Sequence, residues 1–198
     1  MEIKAFDRWS TEGIVVEDLG LQRYISLEPR LLPKTGARYA QNKFYKSKIF
    51  IVERLINKLM NPGHRGKKHK RTSGSCTGKS NTTYKLVYDA LDIIEKKTKL
   101  NPLAVFVRAL ENAAPREATV TIEYGGARYP KAVEVSPQRR IDIALRMMIQ
   151  GTHAKAFNKK KGAVQALADE ILNAYQISQA SDAIAKKVEL ERQADASR

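Results

Sequence analysis

The segment GSCTGKS at residues 74–80 places glycines, a lysine and hydroxyl side chains in an order similar to that of a phosphate-binding loop. Such a loop has the pattern G-x-x-x-x-G-K-[ST], in which four residues between the glycines let successive backbone N–H groups surround a nucleotide's phosphates. Only three residues separate Gly74 from Gly78, and the preceding run HRGKKHKRTS cannot form the buried apolar strand that the loop requires. A nucleotide-binding enzyme is therefore an alternative interpretation, not the favoured one.

Three histidines and one cysteine are the other side chains that could bind a metal or act in catalysis. His64, His69 and Cys76 are near one another in sequence, but a structural zinc site needs four ligands, and the surrounding lysines oppose a cation. Neither they nor His153 accompany a nucleophile motif or a carboxylate that would orient a catalytic base. We therefore predict that the protein is not an enzyme and holds no metal and no cofactor.

The positive charge is concentrated in one quarter of the chain. Of the formal net charge of +15, residues 31–80 carry +12, from thirteen basic side chains and one acidic side chain, whereas residues 1–30 carry −2 and residues 81–198 carry +5. A solvated surface normally intersperses both signs, so this imbalance favours a polyanionic partner over simple solubility. Nucleic acid is the first candidate and a membrane surface the second.

The remaining composition indicates a cytoplasmic protein. No apolar run approaches the ~20 residues of a bilayer span, and the N-terminal residues MEIKAFDRWS have neither the apolar stretch nor the cleavage site of a secretory signal. The single cysteine, Cys76, excludes an internal disulfide framework and is typical of a reducing compartment.

Apolar residues recur at helical spacing in six segments, which must position these basic residues. The predicted helices cover residues 47–60, 81–99, 102–114, 137–151, 164–172 and 183–196, and Asn-Pro, Ser-Pro and Ser-Asp pairs mark three of their starts. Between the third and fourth helices the period changes to two around Gly125-Gly126, which predicts a β-hairpin at 118–136. The predicted fold is mainly α, a bundle of about six helices with a protruding β-hairpin.

We divide the chain into an N-terminal extension, residues 1–46, and a helical RNA-binding domain, residues 47–198, with a basic loop at 63–81. The loops at 65–71 and 155–161 offer lysines and arginines to phosphates, and the hairpin places Tyr124 and Tyr129 where they either stack on bases or pack on the bundle. Arg139 and Arg140 begin a helix, where they oppose its dipole and so favour an external anion.

Several long segments resemble the universal small-subunit ribosomal proteins of the seventh class. These are IVERLINKLM at 51–60, DALDIIEKKTKLNPLAVFVRALENAAPRE at 89–117, YGGARYPKAVEVSPQRRIDIALRMMIQGT at 124–152, ALADEILNAYQ at 166–176 and KKVELERQADASR at 186–198. The N-terminal residues FDRWSTEGIVVEDLGLQRYISL are more similar to archaeal and eukaryotic members than to bacterial ones, and an archaeal ribosome is the preferred source.

The resemblance implies a structural, ribosome-bound protein that binds the 3′ major (head) domain of small-subunit ribosomal RNA and nucleates assembly of the head. It also implies a hairpin near messenger RNA and exit-site transfer RNA, with other head and platform ribosomal proteins as neighbours. GSCTGKS then becomes the flexible end of an RNA-contacting loop. A generic DNA-binding module is the second alternative.

The predicted RNA-binding residues combine matches to the family with the charge pattern. The family motifs supply Lys67 and Lys68 in the basic loop, Arg128 and Lys131 in the hairpin, and Arg139, Arg140 and Arg146 in the following helix. The loop is longer than in bacterial members, so residues 69–79 are selected on charge alone. The remaining candidates are Lys34, Arg38, Lys43, Lys46, Arg65, Lys70, Arg71, Lys79, Arg116, Tyr124, Tyr129, Lys155, Lys159, Lys160 and Lys161.

Overall fold

The computed structural model describes residues 3–65, 68–69 and 75–198, with the backbone alone described at 64, 65, 68 and 69. Part of the predicted basic loop at 63–81 is thus outside the described residues, including the RNA-binding candidates Lys67, Lys70 and Arg71.

The described residues form a mainly α-helical fold with a long β-hairpin, which confirms the predicted fold class. The helices are α1 (Leu19–Gln22), the 3-10 helix η1 (Tyr45–Lys48), α2 (Ile51–Leu59), α3 (Ser80–Thr98), α4 (Pro102–Ala113), α5 (Pro137–Ala156), α6 (Ala163–Tyr175) and α7 (Asp182–Asp195). The strands are β1 (His64–Arg65), β2 (Lys68–His69), β3 (Glu117–Tyr124) and β4 (Ala127–Glu134), paired antiparallel as β1–β2 and β3–β4. The sequence predicted α2 to α7 and the β3–β4 hairpin, but not α1, η1 or the β1–β2 pair. The expectation that the run from residue 64 to 73 forms no strand was wrong, because two short strands pair there.

Local chemistry at the helix ends explains most of the boundaries. Asn101 Oδ1 accepts a hydrogen bond from Leu103 N at 3.0 Å, and Pro102 supplies the preset φ of a first helical residue, so α4 begins where predicted. Ser181 caps α7 by accepting from two backbone N–H groups. Ser136 was expected to cap α5 in the same way, but its side chain makes no capping hydrogen bond. Proline at the first position of α5 correctly marked the start of this helix.

Helix α6 packs against α3, α4 and α5 and forms the centre of the core. Its small residues Ala166, Ala168 and Ala174 are fully buried and let the neighbouring helices approach, while Leu167 and Ile171 fill the space between them. The larger side chains of the other helices, including Phe106 and Leu110 of α4, are buried in the same cluster. Apolar burial of this kind is the main stabilising contribution to the fold.

The N-terminal residues pack on the same core. Phe6 and Trp9 are buried against Tyr84 and Tyr88 of α3, with ring centroids 5.0 to 5.9 Å apart. Arg8 pairs with Asp92 and Glu95 of α3, and Ile51 N donates to Ser26 O at 3.0 Å. Residues before 46 therefore contribute to the core cluster, and the division at residue 46 stays a prediction about domain organisation.

The hairpin turns at Gly125 and Gly126, whose φ angles of +56° and +81° are those that a tight turn between two strands requires. Its base packs on α7 and is bonded to the residues that follow this helix. Ala132 N donates to Ser197 O at 3.4 Å, and Arg198 Nη2 donates to both carboxylate oxygens of Glu117 at 2.6 and 2.7 Å. From residue 120 to 131 every side chain is exposed, so this part of the hairpin projects from the helices.

Candidate nucleic-acid interface

The loop that resembles a phosphate-binding motif is closed on itself in the part that is described, residues 75–80. Lys79 N donates to Cys76 O at 3.1 Å and Ser80 N donates to Gly78 O at 3.0 Å. These two N–H groups are therefore already engaged by carbonyls of the loop, whereas a nucleotide site needs them directed at phosphates. In the described residues no strand directly precedes the loop in the manner of a nucleotide-binding fold.

Four cationic side chains gather around one carboxylate where α2 meets α5. Asp142 of α5 accepts a hydrogen bond from Arg54 Nη2 at 3.0 Å and contacts the ammonium of Lys46 in η1. Arg54 is 6% exposed and also donates to Tyr24 O at 3.3 Å, so its position is fixed by packing. Lys58 of α2 and Arg146 of α5 lie within electrostatic reach of the same group.

The electrostatics of this group favour an added anion. Burial lowers the pKa of Lys58, and the nearby charges of Arg146 and Lys46 lower it further. The charge of Asp142 raises this pKa but only partly offsets these effects. Burial likewise lowers the pKa of Arg54, against the opposing effect of Asp142. Since one carboxylate cannot neutralise four cations, a phosphate placed beside them would relieve the repulsion between them.

A basic cleft of about 740 Å³ lies next to this group and is formed by residues 30–49. Its charged lining is entirely positive: Arg30, Lys34, Arg38 and Lys48. Two tyrosines, Tyr39 and Tyr45, complete the walls together with Thr35, Gly36 and Ile49. Cations beside aromatic rings in a concave site are the combination expected for recognition of RNA.

Helix η1 and Tyr39 connect the cleft to the group at Asp142. Helix η1 contributes Tyr45 and Lys48 to the cleft and Lys46 to Asp142. The hydroxyl of Tyr39, a cleft residue, lies 3.5 Å from Asn57 Nδ2 of α2. We define the cationic surface as Arg30, Lys34, Arg38, Lys46, Lys48, Lys58 and Arg146, together with Arg54, whose buried guanidinium lies beneath it.

A second basic group lies at the end of α5 and in the loop that follows it. Lys159 and Lys160 are exposed there, and Lys161 Nζ pairs with Asp169 Oδ2 at 2.5 Å. Lys161 also lines a largely apolar pocket of about 450 Å³ together with Lys79 of the 75–80 loop. The structure therefore brings together two basic segments that are about eighty residues apart in sequence.

Two of the predicted RNA-binding residues, Arg140 and Lys155, form ion pairs with carboxylates inside the fold. Arg140 is 8% exposed and donates to Asp18 Oδ2 at 2.6 Å and to Pro115 O at 3.1 Å. Partial burial by itself raises the pKa of Asp18, but the hydrogen bond and charge of Arg140 lower it below its usual value. The anion that compensates a cation at the start of α5 is thus internal, supplied by the N-terminal segment.

Lys155 is the other internal cation. Its ammonium contacts Glu170, which is completely buried in α6, and donates to Ala180 O at 2.6 Å. Ser181 Oγ donates to the other oxygen of Glu170 at 2.7 Å. Since a buried carboxylate is stable only when it is paired and hydrogen-bonded, Lys155 stabilises the fold by neutralising Glu170.

The hairpin is not one basic ribbon, because its two faces differ in chemistry. The register pairs Val120 with Lys131 and Ile122 with Tyr129, and since side chains alternate along a strand these residues share one face with Tyr124. That face is apolar and aromatic, with Tyr124 81% exposed.

Arg128 lies on the opposite face of the hairpin. It is paired directly across from Glu123 at 3.4 Å, and the same face carries Glu117 and Glu134 at the base. Arg128 and Lys131 are therefore separated by the sheet, and the face of Arg128 is acidic overall.

The other candidates are distributed over the surface. Lys43, Arg116 and Arg139 are exposed, outside the group at Asp142 and the cleft. Arg65 and Lys68 pair in the β1–β2 hairpin. The sequence interpretation missed Arg30, Lys48, Arg54 and Lys58 of the cationic surface. Arg54 and Lys58 are four residues apart on one helix face, which was a usable signal; the positions of Arg30 and Lys48 depend on tertiary contacts.

Comparison with known proteins places these observations in a family. A family model described as ribosomal protein S7p/S5e matches residues 21–198. The chain belongs to this family. The predicted family is thereby confirmed, and with it a role in translation, the binding of ribosomal RNA and a cytoplasmic, ribosome-bound location.

Curated relatives extend the similarity over the whole chain, and those described next are archaeal. The small ribosomal subunit protein uS7 of Nanoarchaeum equitans is 53% identical over 198 residues, covering 100% of both chains. The proteins of the same name from Methanosphaera stadtmanae and Archaeoglobus fulgidus are 46% and 44% identical, covering 97% and 100% of this chain and 97% and 96% of their own lengths.

The described residues contain neither a membrane-spanning helix nor a metal-binding cluster. No helix among them is both long enough and apolar enough to cross a bilayer. In the same part of the chain, no group of three or more histidine, cysteine, aspartate or glutamate side chains is arranged to hold a metal ion.

Proposed function

We propose that the protein binds the 3′ major (head) domain of small-subunit ribosomal RNA through the cationic surface and thereby nucleates assembly of the head. The observation that carries this proposal is the gathering of Lys46, Arg54, Lys58 and Arg146 around Asp142, since the buried Arg54 anchors a local excess of positive charge. Family membership supports ribosomal RNA as the polyanion. The role is structural, not catalytic.

The proposal is tested by titrating the full chain with a transcript of the head domain, at several salt concentrations and with excess unrelated RNA as competitor. Specific binding should survive the competitor and weaken steeply with salt, because phosphate contacts release counterions. If the competitor removes all binding, the surface has only a general affinity for polyanions. Equal or tighter binding of duplex DNA would favour the DNA-binding alternative.

Paired charge variants locate the surface. Lys58→Gln combined with Arg146→Gln should weaken binding to the transcript and reduce the slope of log affinity against log salt by about one to two. The matched control is Lys96→Gln with Lys99→Gln, two exposed lysines at the end of α3 outside the cationic surface. An equal loss in both double variants would contradict the proposed location.

The hairpin forms the second part of the proposed function, a contact with messenger RNA and exit-site transfer RNA. Its exposed apolar face, with Tyr124 and Tyr129, supports stacking on unpaired bases better than it supports binding of phosphates. In subunits reconstituted with Tyr124→Ser and Tyr129→Ser, we expect weaker retention of exit-site transfer RNA. Arg128→Gln, on the opposite face, is the control; a loss with that variant alone would place the contact on the acidic face.

Neighbouring head and platform ribosomal proteins complete the proposed partners. Nucleotide hydrolysis is the competing function, and it would use the 75–80 loop. That function would be favoured if the isolated protein bound a nucleotide and Lys79→Ala abolished the binding. The hydrogen bonds within the loop argue against this outcome, because they already occupy the N–H groups of Lys79 and Ser80.

A further inference from the structure

The basic cleft at residues 30–49 gives the cationic surface a concave part. A convex basic surface can follow the phosphates of a duplex, but a cleft of about 740 Å³ is in the size range of sites that enclose one small ligand. Its charged lining residues are all cations, so the ligand is an anion. Its two tyrosines add planar surfaces that a bare phosphate would not use.

The aromatic ring of Tyr45 is available for stacking. Tyr45 is 45% exposed, and Lys48 Nζ lies 4.6 Å from the centroid of its ring. A ring held by a cation retains exposed surface on which a base can stack, and the ammonium beside it is within reach of the phosphate of the same nucleotide. Bases inside a duplex cannot be stacked in this way, because they are already stacked on one another.

The wall of the cleft is fixed in advance by a buried carboxylate. Glu53 of α2 is 1% exposed, and its Oε1 accepts hydrogen bonds from both the backbone N–H and the hydroxyl of Thr35, at 2.9 and 2.5 Å. The chain then passes through Gly36 and Ala37, both with positive φ, a conformation that costs free energy at Ala37. The segment is therefore held in one shape by the helix beneath it, which lowers the entropic cost of binding a ligand.

We infer that the 30–49 cleft receives one unpaired nucleotide of the bound RNA, with its base stacked on Tyr45 and its phosphate among the surrounding cations. This inference rests on the proposed function, because the RNA that supplies the nucleotide is the one bound by the cationic surface. It adds that the RNA presents an unstacked nucleotide at this point, not a continuous helix.

The test compares a short single-stranded RNA with the duplex of the same strand, each titrated into the full chain and followed by fluorescence anisotropy. Tyr45→Leu should weaken binding of the single strand about tenfold, which corresponds to the loss of one stacked base, and leave duplex binding within about twofold. Tyr45→Phe, which keeps the ring, should bind as the wild type does. Unchanged thermal unfolding of both variants will exclude a folding defect.

Three outcomes would overturn the inference. Wild-type binding of both RNAs by Tyr45→Leu, or an equal loss of affinity for both, would show that no nucleotide stacks on Tyr45. Displacement of the single strand by inorganic phosphate, with no effect of Tyr45→Leu, would reduce the cleft to a phosphate site. If the wild type still binds the head-domain transcript in the presence of competitor RNA, the proposed function stands without the stacked nucleotide. If the wild type does not bind the transcript under these conditions, the proposed function itself fails.

Discussion

The helical core and the β-hairpin contain similar kinds of large side chains but use them in opposite ways. Phe106 of α4 is completely buried, whereas Tyr124 at the hairpin tip is 81% exposed, and Val120 and Ile122 are exposed beside it. Apolar side chains that remain in water contribute little to the stability of the isolated protein. The core therefore stabilises the fold, whereas the apolar face of the hairpin remains exposed to solvent.

Matched truncations in the core and in the hairpin test directly whether the two regions contribute differently to stability. Phe106→Ala should lower the free energy of unfolding by about 3–5 kcal/mol, because it removes buried apolar surface and leaves a cavity. Tyr124→Ala should change it by less than about 0.5 kcal/mol. Urea unfolding of both variants measures the difference, and comparable losses would show that the hairpin packs on the helices in solution.

A substitution at Gly151 tests how closely the helices of the core approach one another. A Cβ at this position of α5 would lie 2.9 Å from Asp182 Cβ and 3.0 Å from Glu170 Cδ. Gly151→Ala should therefore cost about 1–2 kcal/mol in urea unfolding, since overpacking outweighs the gain in helix propensity. Gly162→Ala is the control, because its Cβ would meet nothing within 4 Å and its φ is −67°. A stabilised Gly151→Ala variant would contradict the tight packing of α5 on α7.

The ion pairs of Asp169 make the free energy of unfolding depend on pH. Partial burial alone would raise the pKa of Asp169, but hydrogen bonds from Lys161, Lys97 and Gln165 lower it from 3.8 to about 2. The stabilisation is fully present above pH 3.8 and is lost as the pH falls through about 2.

Between about pH 5 and pH 2 the wild type should therefore lose roughly 1–2 kcal/mol more than Asp169→Asn, which lacks this titration. Thermal or urea unfolding at a series of pH values measures the two slopes. Parallel slopes would mean that these contacts between α6 and its neighbours do not hold the carboxylate in solution.

The smallest effect is expected on the apolar face of the hairpin itself. Ile122→Ser should change the free energy of unfolding by less than about 0.5 kcal/mol, because Ile122 pairs only with Tyr129 across the strand and both are exposed. The equivalent change in the core, Ile171→Ser in α6, should cost several-fold more in the same urea measurement. A large loss for Ile122→Ser would reveal packing of this face in the free protein.

Much of the local architecture was predictable because its determinants are close in sequence. The pair Asn101-Pro102 marks the start of α4, and Gly125-Gly126 marks the turn of the hairpin, since the capping and turn geometries involve only adjacent residues. The short helix α1 was missed because four residues carry too little periodicity.

The candidate site was predictable in composition but not in arrangement. The excess charge of residues 31–80 indicated a polyanionic partner, and the collinear motifs indicated the ribosomal family. Lys34, Arg38, Lys46 and Arg146 were selected on that charge and on family motifs. Arg140 and Lys155 were selected by the same reasoning, yet they pair with Asp18 and Glu170 inside the fold. Charge alone does not distinguish a cation that faces solvent from one that neutralises a buried acid.

The sequence by itself determined the family, the succession of helices and the hairpin, and the sign of the partner's charge, because these follow from composition, periodicity and collinear motifs. Only the tertiary structure decided which cations pair with carboxylates inside the fold, which face of the hairpin is apolar, and that Arg30 and Lys48 share one cleft. These properties depend on contacts between residues far apart in the chain, where burial and pairing with a distant carboxylate set what each charge can do.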